Sequence, residues 1–389
     1  MTTKPSVGSY QHVLLPLFLL FCFGGVFYTY YKPTVSWFSC SNVPVSSHEV
    51  CSDECLKVLT ANFTQNTTTH NYTTQKLLLP QPTPKPADTE ENITFLIWTW
   101  PFGFKFDVKA CSPQFGIEGC QLTDDRSQYD KAHGVLFHHR DIGGDFTELL
   151  KRPRPPHQKW VWMNMESPDN SGRNDRFDAV FNLTTNYRRD SDVWVPYGRI
   201  IEISEKDKPF KIPPKDKLVC WIVSNWNPNF RRVKFFNELS KHIKIEAYGR
   251  HFNRYISSED YRTIVSGCKF YLSFENSIHK DYFTEKLFNP LIIGTVPVVL
   301  GPSRENYEEF IPADAFIHVD DFKSPQELAE RLKFLDQNQE VYERYFTWRQ
   351  HFTAIGAHFG LEHACRSCDL IKRNKSYRVF KNLNKWYWG

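Results

Sequence analysis

Residues suited to binding a phosphate group lie between two apolar runs of this 389-residue chain. The runs Cys268–Phe274 and Val296–Leu300 have the length and composition of strands, and residues 284–293 between them fit a helix. Strand, helix and strand in succession predict a parallel pair, and ligands bind beyond the carboxyl ends of such strands. The helix N-terminus offers unpaired N–H groups, and Lys286 in its first turn adds a full positive charge. A solvated loop, residues 275–281, before a capped helix is the alternative interpretation.

Carboxylates that could move a proton or hold a metal ion occur earlier in the chain. Glu166 follows an apolar segment and precedes a proline-marked turn, which suits a general base, although a turn-capping carboxylate has the same pattern. Asp190 and Asp192 form a D-x-D pair, whose oxygen ligands could hold Mn²⁺ against a diphosphate. Because Arg188 and Arg189 precede this pair, and a hydrophobic strand does not, we favour ion pairs there.

Several motifs, in order along the chain, resemble those of one enzyme family. They are WTWPF (98–102), HHRDI (138–142), WMNMESP (162–168), YRRDSDVWVPYG (187–198), VCWIVSNWNPNFRRVKF (219–235), FENSIHKDYFTEK (274–286), GTVPVVLGP (294–302) and CRSC (365–368). In these motifs the chain resembles the α1,3-fucosyltransferases, animal glycosyltransferases that use GDP-fucose, from about residue 92 onward. The resemblance is strongest to the branch that makes the Lewis x type of linkage.

The resemblance implies an α/β protein of the GT-B type, with two Rossmann-like domains facing a cleft. It assigns residues 92–212 to an N-terminal acceptor-binding domain, 213–360 to a C-terminal GDP-fucose-binding domain and 361–389 to a tail that returns to the N-terminal domain. Composition agrees, because a body of about 300 residues usually forms two domains, and the charged, proline-containing residues 206–217 suit a hinge. Other predicted elements are strands at 95–98, 135–137 and 218–223 and helices at 233–242 and 325–335.

The resemblance also implies roles for individual residues. Glu166 would be the general base of an inverting transfer, and Arg232 and Lys286 would neutralise the pyrophosphate of departing GDP. Glu285 would accept hydrogen bonds from the donor sugar, whereas Tyr271, an aromatic within a strand, is of a kind more often found in a core. The other positions that match donor-binding residues are Ser224, Asn225, Asn276 and Tyr282, and those that match acceptor-binding residues are His139, Arg140 and Tyr197.

Arg140 bears on the acceptor. Taken alone, His138-His139-Arg140 is a basic surface turn after an apolar strand. In the family, arginine at its third place accompanies transfer to O3 of GlcNAc in Galβ1-4GlcNAc, and tryptophan accompanies tolerance of Galβ1-3GlcNAc. The resemblance therefore implies Lewis x-type fucosylation of type 2 chains on glycoproteins and glycolipids. GDP-fucose would be the donor, no metal would be required, and Mn²⁺ would at most stimulate the reaction.

The first 91 residues have the pattern of a membrane anchor and a stem. Residues 13–31 are apolar and uncharged, and as a helix they would span roughly 28 Å, enough to cross a bilayer. They predict a signal-anchor after a cytoplasmic tail, residues 1–12, and before a lumenal stem, residues 32–91; a cleaved signal peptide is the alternative. The sequons that follow are Asn62, Asn66, Asn71, Asn92, Asn182 and Asn374. Together these features predict a single-pass type II protein of the trans-Golgi or trans-Golgi network membrane.

Ten cysteines in a lumenal chain favour disulfides over metal. The family pattern implies the pairs Cys111–Cys365, Cys120–Cys368 and Cys220–Cys268. Zinc is the alternative for the closely spaced pairs Cys51/Cys55 and Cys365/Cys368, the latter near His363, although no compact set of four ligands is assembled in the sequence. A homodimer through stem cysteines is a further hypothesis, and its candidates are Cys40, Cys51 and Cys55.

Two alternatives to the predicted function stay open. One is an α1,3-fucosyltransferase that prefers sialylated lactosamine, and the other is a catalytically silent, lumenal glycan-binding homologue, which Glu166, Arg232 and Lys286 disfavour. A net charge of +4 with dispersed Lys and Arg argues against nucleic-acid binding. Two residues depart from the family pattern. Pro290 is expected to bend or shorten the helix at 284–293, and Phe104 replaces a polar residue in a segment that bears on acceptor recognition.

Overall fold

The computed structural model describes residues 92–204 and 209–389. The predicted tail, anchor and stem, with the sequons at Asn62, Asn66 and Asn71 and the cysteines at 40, 51 and 55, lie outside the described residues. Across the two described ranges, the structure contains no helix with the length and apolarity needed to cross a bilayer.

The first half of the described chain is a parallel six-stranded sheet with the order β2-β1-β3-β4-β5-β6. Its strands are β1 Ile93–Ile97, β2 Cys120–Thr123, β3 Gly134–His138, β4 Lys159–Asn164, β5 Leu183–Asn186 and β6 Val193–Trp194. Its helices are α1 Cys111–Phe115 and α2 Gly144–Lys151. The strands predicted at 95–98 and 135–137 are confirmed as β1 and β3. Strands β3 and β4 are buried along their whole length, as expected of central strands in a parallel sheet covered on both faces.

The second half contains a parallel five-stranded sheet with the order β12-β11-β10-β8-β9. Its elements are β7 Gly198–Glu202, β8 Lys217–Ile222, α3 Arg231–Leu239, β9 Ile245–Tyr248, α4 Ser258–Ser266, β10 Cys268–Phe274, α5 Glu285–Ile293, β11 Val296–Leu300, α6 Arg304–Glu308, β12 Ile317–His318, α7 Pro325–Gln337, α8 Gln339–Glu343 and β13 Phe352–Gly356. Strands β7 and β13 form a separate antiparallel pair. The predicted parallel pairing of β10 with β11 is confirmed with both sets of bounds unchanged. The α/β class is therefore confirmed, and each half has its own parallel sheet.

Each sheet contains a point at which consecutive connections leave in opposite directions. In the first sheet β1 and β3 are neighbours, but the chain runs from β1 to one side and from β3 to the other. In the second sheet β8 and β10 have the same relation. Such a switch point opens a crevice at the carboxyl ends of the two strands. The segments that follow β1, β3, β8 and β10 are therefore the ones that the topology makes available to a ligand.

The last described segment belongs to the first half, although it follows the second in sequence. It contains α9 Leu361–Arg373 and α10 Leu383–Trp388, and α9 packs against β1 and β2. Disulfides Cys111–Cys365 and Cys120–Cys368 join α9 to α1 and β2 across 254 and 248 residues. A third disulfide, Cys220–Cys268, joins the switch-point strands β8 and β10. These are the three pairs that the resemblance implied.

The linker between the halves is fixed to the second half by a lysine. Residues 209–216 contain no helix or strand, and residues 205–208 of the predicted hinge are not described. The Lys215 ammonium group donates to the carbonyl oxygens of Ser266 and Gly294, at 2.8 and 2.6 Å, where α4 and α5 end. Burial lowers the pKa of Lys215 to about 7. The described part of the linker is therefore attached to the ends of α4 and α5.

Pro290 lies inside α5. The helix was predicted at residues 284–293 and is observed at Glu285–Ile293, with Thr284 as its N-cap. Proline has no N–H, so the carbonyl of Lys286, four residues earlier, loses its usual helical partner. The Ser273 hydroxyl, on the adjacent strand β10, donates to that oxygen at 2.6 Å. Beyond the helix, Gly294 adopts φ 97°, a left-handed conformation that glycine accommodates without strain. The helix is therefore not shortened at Pro290, and the carbonyl that the proline leaves unpaired accepts from a side-chain donor on the neighbouring strand.

We predict that Ser273→Ala destabilises the protein because it leaves the Lys286 carbonyl without a partner, a cost of about 1–3 kcal/mol. In a Pro290→Ala background residue 290 regains its N–H, so the same substitution should cost much less. Melting temperatures of the wild type, both single variants and the double variant measure this coupling. Ser240→Ala, which removes an exposed hydroxyl bonded to the Asn237 carbonyl, is the matched control. Equal losses from Ser273→Ala in the two backgrounds would show that the two residues are not coupled.

Candidate active site

The crevice of the second sheet brings most of the predicted donor residues together. Ser224 and Asn225 follow β8 and are exposed, and Arg232 lies in the first turn of α3. Asn276 follows β10, and Lys286 lies in the first turn of α5. These segments are adjacent because β8 and β10 are paired in parallel and held by a disulfide. Two helix N-termini and two cationic side chains thus meet at one edge of the sheet, an arrangement suited to a diphosphate.

Lys286 is the centre of a charged cluster at this edge. Its Nζ lies 3.4 Å from Glu275 Oε2 and 3.0 Å from Glu285 Oε1, and donates to Thr284 Oγ1 at 2.9 Å. Glu275 is 2% exposed and accepts from the Thr284 N–H at 2.8 Å. Burial alone would lower the pKa of Lys286, but these two carboxylates outweigh it and raise that pKa. The ammonium group is therefore a fixed positive charge at the start of α5.

Arg232 supplies the second positive charge. It is 3% exposed, and its guanidinium donates to the Asn225 carbonyl, which fixes the loop after β8. Burial lowers its pKa from the usual arginine value, which the nearby carboxylates of Glu275 and Glu285 partly offset. Its Nε–H has no hydrogen-bond partner among the described residues. An unpaired buried donor is costly, so this group is suited to an oxygen supplied by a ligand.

Two further predicted donor residues, both tyrosines, are buried. Tyr282 is 2% exposed and packs against Tyr187 of the first half, with ring centroids 5.0 Å apart, so it joins the halves. Tyr271 is also 2% exposed, its hydroxyl donates to the Ile222 carbonyl at 3.5 Å, and it belongs to a core cluster with the Cys220–Cys268 disulfide. The structure thus places Tyr271 in the core, and its contact with a donor stays a prediction that this packing does not favour.

Glu166 lies just after β4, in the loop of residues 165–170, which we call the base loop. Hydrogen bonds from several other segments fix the backbone of this loop. The Glu166 N–H donates to Asn164 Oδ1 at 3.1 Å, and its carbonyl accepts from the Tyr387 hydroxyl of α10. The preceding carbonyl, of Met165, accepts from the Tyr197 hydroxyl. Burial raises the pKa of the Glu166 carboxyl, with Lys286 opposing this shift. A half-buried carboxylate of raised pKa beside the donor helix has the properties of a general base.

A cavity of about 400 Å³ contains Glu166 together with two of the predicted acceptor residues, His139 and Arg140. Burial, with His138 nearby, lowers the pKa of His139 to about 4, so this imidazole is neutral near pH 7. Asp141 Oδ2 lies 2.5 Å from His138 Nδ1 and accepts from the Phe102 N–H at 2.7 Å. The segments after β1 and β3 are thereby joined across the first switch point. Tyr197 is the third predicted acceptor residue. Its hydroxyl donates to the Met165 carbonyl of the base loop.

Comparison with known proteins identifies the family. A profile described as "Fucosyltransferase, N-terminal" matches residues 90–198, and one described as "Glycosyltransferase family 10 (fucosyltransferase) C-term" matches residues 212–386. The chain belongs to glycosyltransferase family 10, the fucosyltransferases. It is 47% identical over 387 residues to the 4-galactosyl-N-acetylglucosaminide 3-alpha-L-fucosyltransferase 9 of Rattus norvegicus and of Homo sapiens, covering 100% of each chain. The prediction of an enzyme of the α1,3-fucosyltransferase family is confirmed.

A more distant relative and a solved structure extend the comparison. The chain is 42% identical over 297 residues to the 3-galactosyl-N-acetylglucosaminide 4-alpha-L-fucosyltransferase FUT3 of Bos taurus, which covers 75% of this chain and 81% of that protein. A crystal structure described as α1,3-fucosyltransferase with GDP-fucose aligns with a TM-score of 0.49 and 15% identity, covering 75% of this chain and 92% of that one.

Some residues around the fucosyltransferase site were not assigned from sequence. Glu275 is one of these residues, although it lies within a motif recognised in the sequence. It follows a strand and precedes the cap of a helix, and this position could have indicated its buried pairing with Lys286. Tyr387 bonds the Glu166 carbonyl from 221 residues away, and the Trp388 indole donates to the Ser171 carbonyl at 2.9 Å. No local sequence pattern marks α10 as part of this site.

The D-x-D pair forms ion pairs, as favoured from the sequence, but Arg189 is not one of the partners, because it pairs with Asp281 and Glu309. The Asp190 carboxylate lies 2.7 Å from Arg188 and accepts from the Trp386 indole at 2.9 Å. Asp192 accepts from the Thr184 N–H at 2.8 Å and pairs with Arg378. Both carboxylates therefore already have charged partners in the first half.

The zinc alternative also finds no site in the described ranges. Cys365 and Cys368 are disulfide-bonded, and His363 Nε2 lies 3.1 Å from Met165 Sδ. No group of three or more His, Cys, Asp or Glu side chains that could hold a metal ion occurs within residues 92–204 and 209–389.

One predicted glycosylation site of this fucosyltransferase lies in the interior. Asn182, which precedes β5, is fully buried, its amide donates to the Arg378 carbonyl at 2.6 Å, and its Oδ1 accepts from the Trp160 N–H at 2.8 Å. A glycan on this nitrogen would displace a buried hydrogen bond, so glycosylation of Asn182 stays a prediction that this packing does not favour. Asn92 and Asn374 are exposed, and their glycosylation stays a prediction.

We predict that Lys286→Met destabilises the fucosyltransferase by about 3–5 kcal/mol, because it leaves the buried Glu275 carboxylate, and the partly exposed Glu285 carboxylate beside it, without the cation paired to them. Burial raises the pKa of Glu275 above the ordinary value of 4.5. Lys286 opposes this shift, so its removal raises the pKa of Glu275 further in the variant. The carboxylate form therefore costs the variant more stability than the wild type, and this extra cost disappears as pH falls through the variant's pKa. The melting-temperature gap to the wild type should accordingly narrow from pH 7 to pH 5.

Lys217→Met is the matched control, because Lys217 pairs with an exposed carboxylate, Asp216, and its loss should change the melting temperature little. Adding Glu275→Gln to Lys286→Met should recover part of the lost stability. A gap that stays constant with pH, or no recovery in the double variant, would contradict the assigned charge cluster.

Proposed function

We propose that this chain transfers L-fucose from GDP-β-L-fucose to O3 of GlcNAc in Galβ1-4GlcNAc chains, giving Lewis x-type glycans on glycoproteins and glycolipids. One observation carries the proposal: the half-buried Glu166 carboxylate shares a cavity with His139 and Arg140, and its loop is hydrogen-bonded to the loop that leads into α5 at the second crevice. The names of the two relatives at 47% identity support the linkage and the acceptor. The two-sheet arrangement, with a crevice in each sheet, is consistent with the proposed GT-B type.

The mechanism of fucose transfer follows from the Glu166 carboxylate on the acceptor side and the cations on the donor side. The Glu166 carboxylate takes the proton of the acceptor O3 hydroxyl while that oxygen attacks C1 of fucose from the face opposite GDP. The bond from C1 to the β-phosphate oxygen breaks with inversion, and the negative charge on the leaving diphosphate is stabilised by Lys286 and Arg232. Because two fixed cations are present at the phosphate position, no metal ion is required by this mechanism, and Mn²⁺ would act only as a stimulant.

The proposal includes the acceptor side and the location of the enzyme. Arg140 and His139 share the cavity of Glu166, so they are placed to contact the lactosamine disaccharide, and Arg140 supports the type 2 preference. We propose a single-pass type II protein of the Golgi membrane, with the described residues in the lumen. Three intramolecular disulfides in the described part suit that oxidising compartment.

The first test measures transfer by the full chain, purified in detergent, with GDP-fucose in EDTA. Acceptors are Galβ1-4GlcNAc and Galβ1-3GlcNAc, each neutral and sialylated. We expect product on the neutral type 2 chain and none on either type 1 chain. Transfer to Galβ1-3GlcNAc would overturn the linkage assignment, and faster transfer to the sialylated type 2 chain would favour the sialyl-lactosamine-preferring alternative. No product on any acceptor, even after Mn²⁺ is restored, would favour the silent glycan-binding homologue.

The second test replaces the base. Glu166→Gln should lower kcat by about 10²–10⁴-fold, because the amide cannot take a proton. For the wild type, kcat/KM should fall as pH drops through the raised pKa of Glu166, at a pH above the ordinary value of 4.5. The ionised carboxylate costs stability above that pKa, so Glu166→Gln should melt at the same temperature as the wild type or higher at pH 7.

Glu238→Gln is the control for the base substitution, since Glu238 is an exposed residue of α3 paired with Lys241. Its activity should equal that of the wild type. Activity of Glu166→Gln within a fewfold of the wild type would assign the proton transfer to another group.

A further inference from the structure

The loop after β10, residues 275–281, crosses from the donor side to the base loop of the first half. The Ser277 hydroxyl donates to the Ser167 hydroxyl oxygen at 2.6 Å. His279 Nε2 lies 3.1 Å from the Asp169 carboxylate. At the end of the loop, the Asp281 carboxylate accepts from the Arg189 N–H at 3.1 Å. This loop is therefore bonded to the first half at its middle and at its end.

The bond at Ser277 joins the neighbour of a predicted donor-binding residue to the neighbour of the predicted base. Ser167 directly follows Glu166, is fully buried, and also accepts from the Asn170 amide at 2.9 Å. Ser277 directly follows Asn276, a predicted donor-binding residue, and its hydroxyl oxygen lies 3.1 Å from Asn276 Oδ1. A chain of adjacent residues thus leads from the donor side to the base, and its only step between the halves is one hydrogen bond between two hydroxyl groups.

This bond is short and partly buried, so it restrains both loops more than an exposed contact would. The backbone bonds of Met165 and Glu166 come from the first half itself: Asn164, Tyr197 and the Tyr387 hydroxyl. Their link to the donor side is ring packing, since Tyr197 contacts Tyr282, which precedes α5, with centroids 6.4 Å apart. The Ser277–Ser167 bond, by contrast, acts from the donor half directly on the residue next to Glu166.

We propose that Ser277 is a positioning residue: its hydrogen bond to Ser167 sets the distance of the Glu166 carboxylate from the donor helix and so couples the donor loop to the base. This inference rests on the proposed function, in which Glu166 takes the acceptor proton. Loss of the bond moves Glu166 away from Lys286, slows the chemical step and leaves the phosphate-binding cations unchanged. Contacts at Asp169 and Asp281 keep the loop folded against the first half.

The test is a cycle of Ser277→Ala, Ser167→Ala and the double variant, made in the full chain. Each single variant should lower kcat about tenfold, the effect of losing roughly one hydrogen bond in the transition state, with KM for GDP-fucose changed less than twofold. The double variant should be no slower than the slower single variant, since both remove the same bond. Lys286 lowers the pKa of Glu166. A greater distance between Lys286 and Glu166 should therefore move the acidic limb of the kcat/KM profile to higher pH in both single variants and in the double variant.

Ser257→Ala is the matched control, because Ser257 caps α4 and lies in a segment that bonds neither loop; it should not shift the acidic limb. Multiplicative losses in the double variant, an unshifted limb, or a change confined to KM for GDP-fucose would each overturn the inference. Glu166→Gln, assayed in the same series, separates the two proposals. If it is inactive while Ser277→Ala is normal, the coupling alone fails; if it is active, the assignment of the base fails.

Discussion

The site depends on one buried charge balance. The Lys286 ammonium group lies between the carboxylates of Glu275 and Glu285, and each of the three would be unfavourable there without the others. Glu275 is also bonded to Thr284, which caps α5, so the same cluster fixes where that helix begins. Charge and helix geometry therefore cannot vary independently. A substitution at any of these residues changes both the position of the cation and the start of the helix that presents it.

Each half has a topological switch point, but the side chains placed there differ in charge. Each parallel sheet has a switch point, and the segments that leave it carry the functional side chains. In the second half these segments carry two cations, whose charged forms are favoured by neighbouring carboxylates against the effect of burial. In the first half the segment after β3 carries a neutral imidazole and an arginine, which share one cavity with the carboxylate of raised pKa that follows β4. The two crevices therefore differ in their electrostatics.

The sequence predicted those features whose causes are local. The bounds of β10 and β11 follow from apolar, β-branched and aromatic runs, and the helix between them was placed to within its capping residue. Family motifs supplied the disulfide pairs and the candidate base. Long-range features were not predictable in this way. The bond from Tyr387 to the base loop depends on a separation of 221 residues, and the compensation of Pro290 by Ser273 depends on strand–helix packing. The burial of Asn182 was not predictable either, because a tripeptide sequon carries no information about burial.

The position of α9 has a consequence for the order in which the protein forms. This helix covers β1 and β2 and is cross-linked to the first half across 254 and 248 residues. During synthesis the chain emerges in sequence order, so the first sheet is complete in strands long before the helix that covers one of its faces exists. The intervening half can assemble on its own in that interval, closing its single disulfide across only 48 residues. The half that emerges first is thus the half that finishes last, and its uncovered apolar face must be shielded until synthesis is nearly over.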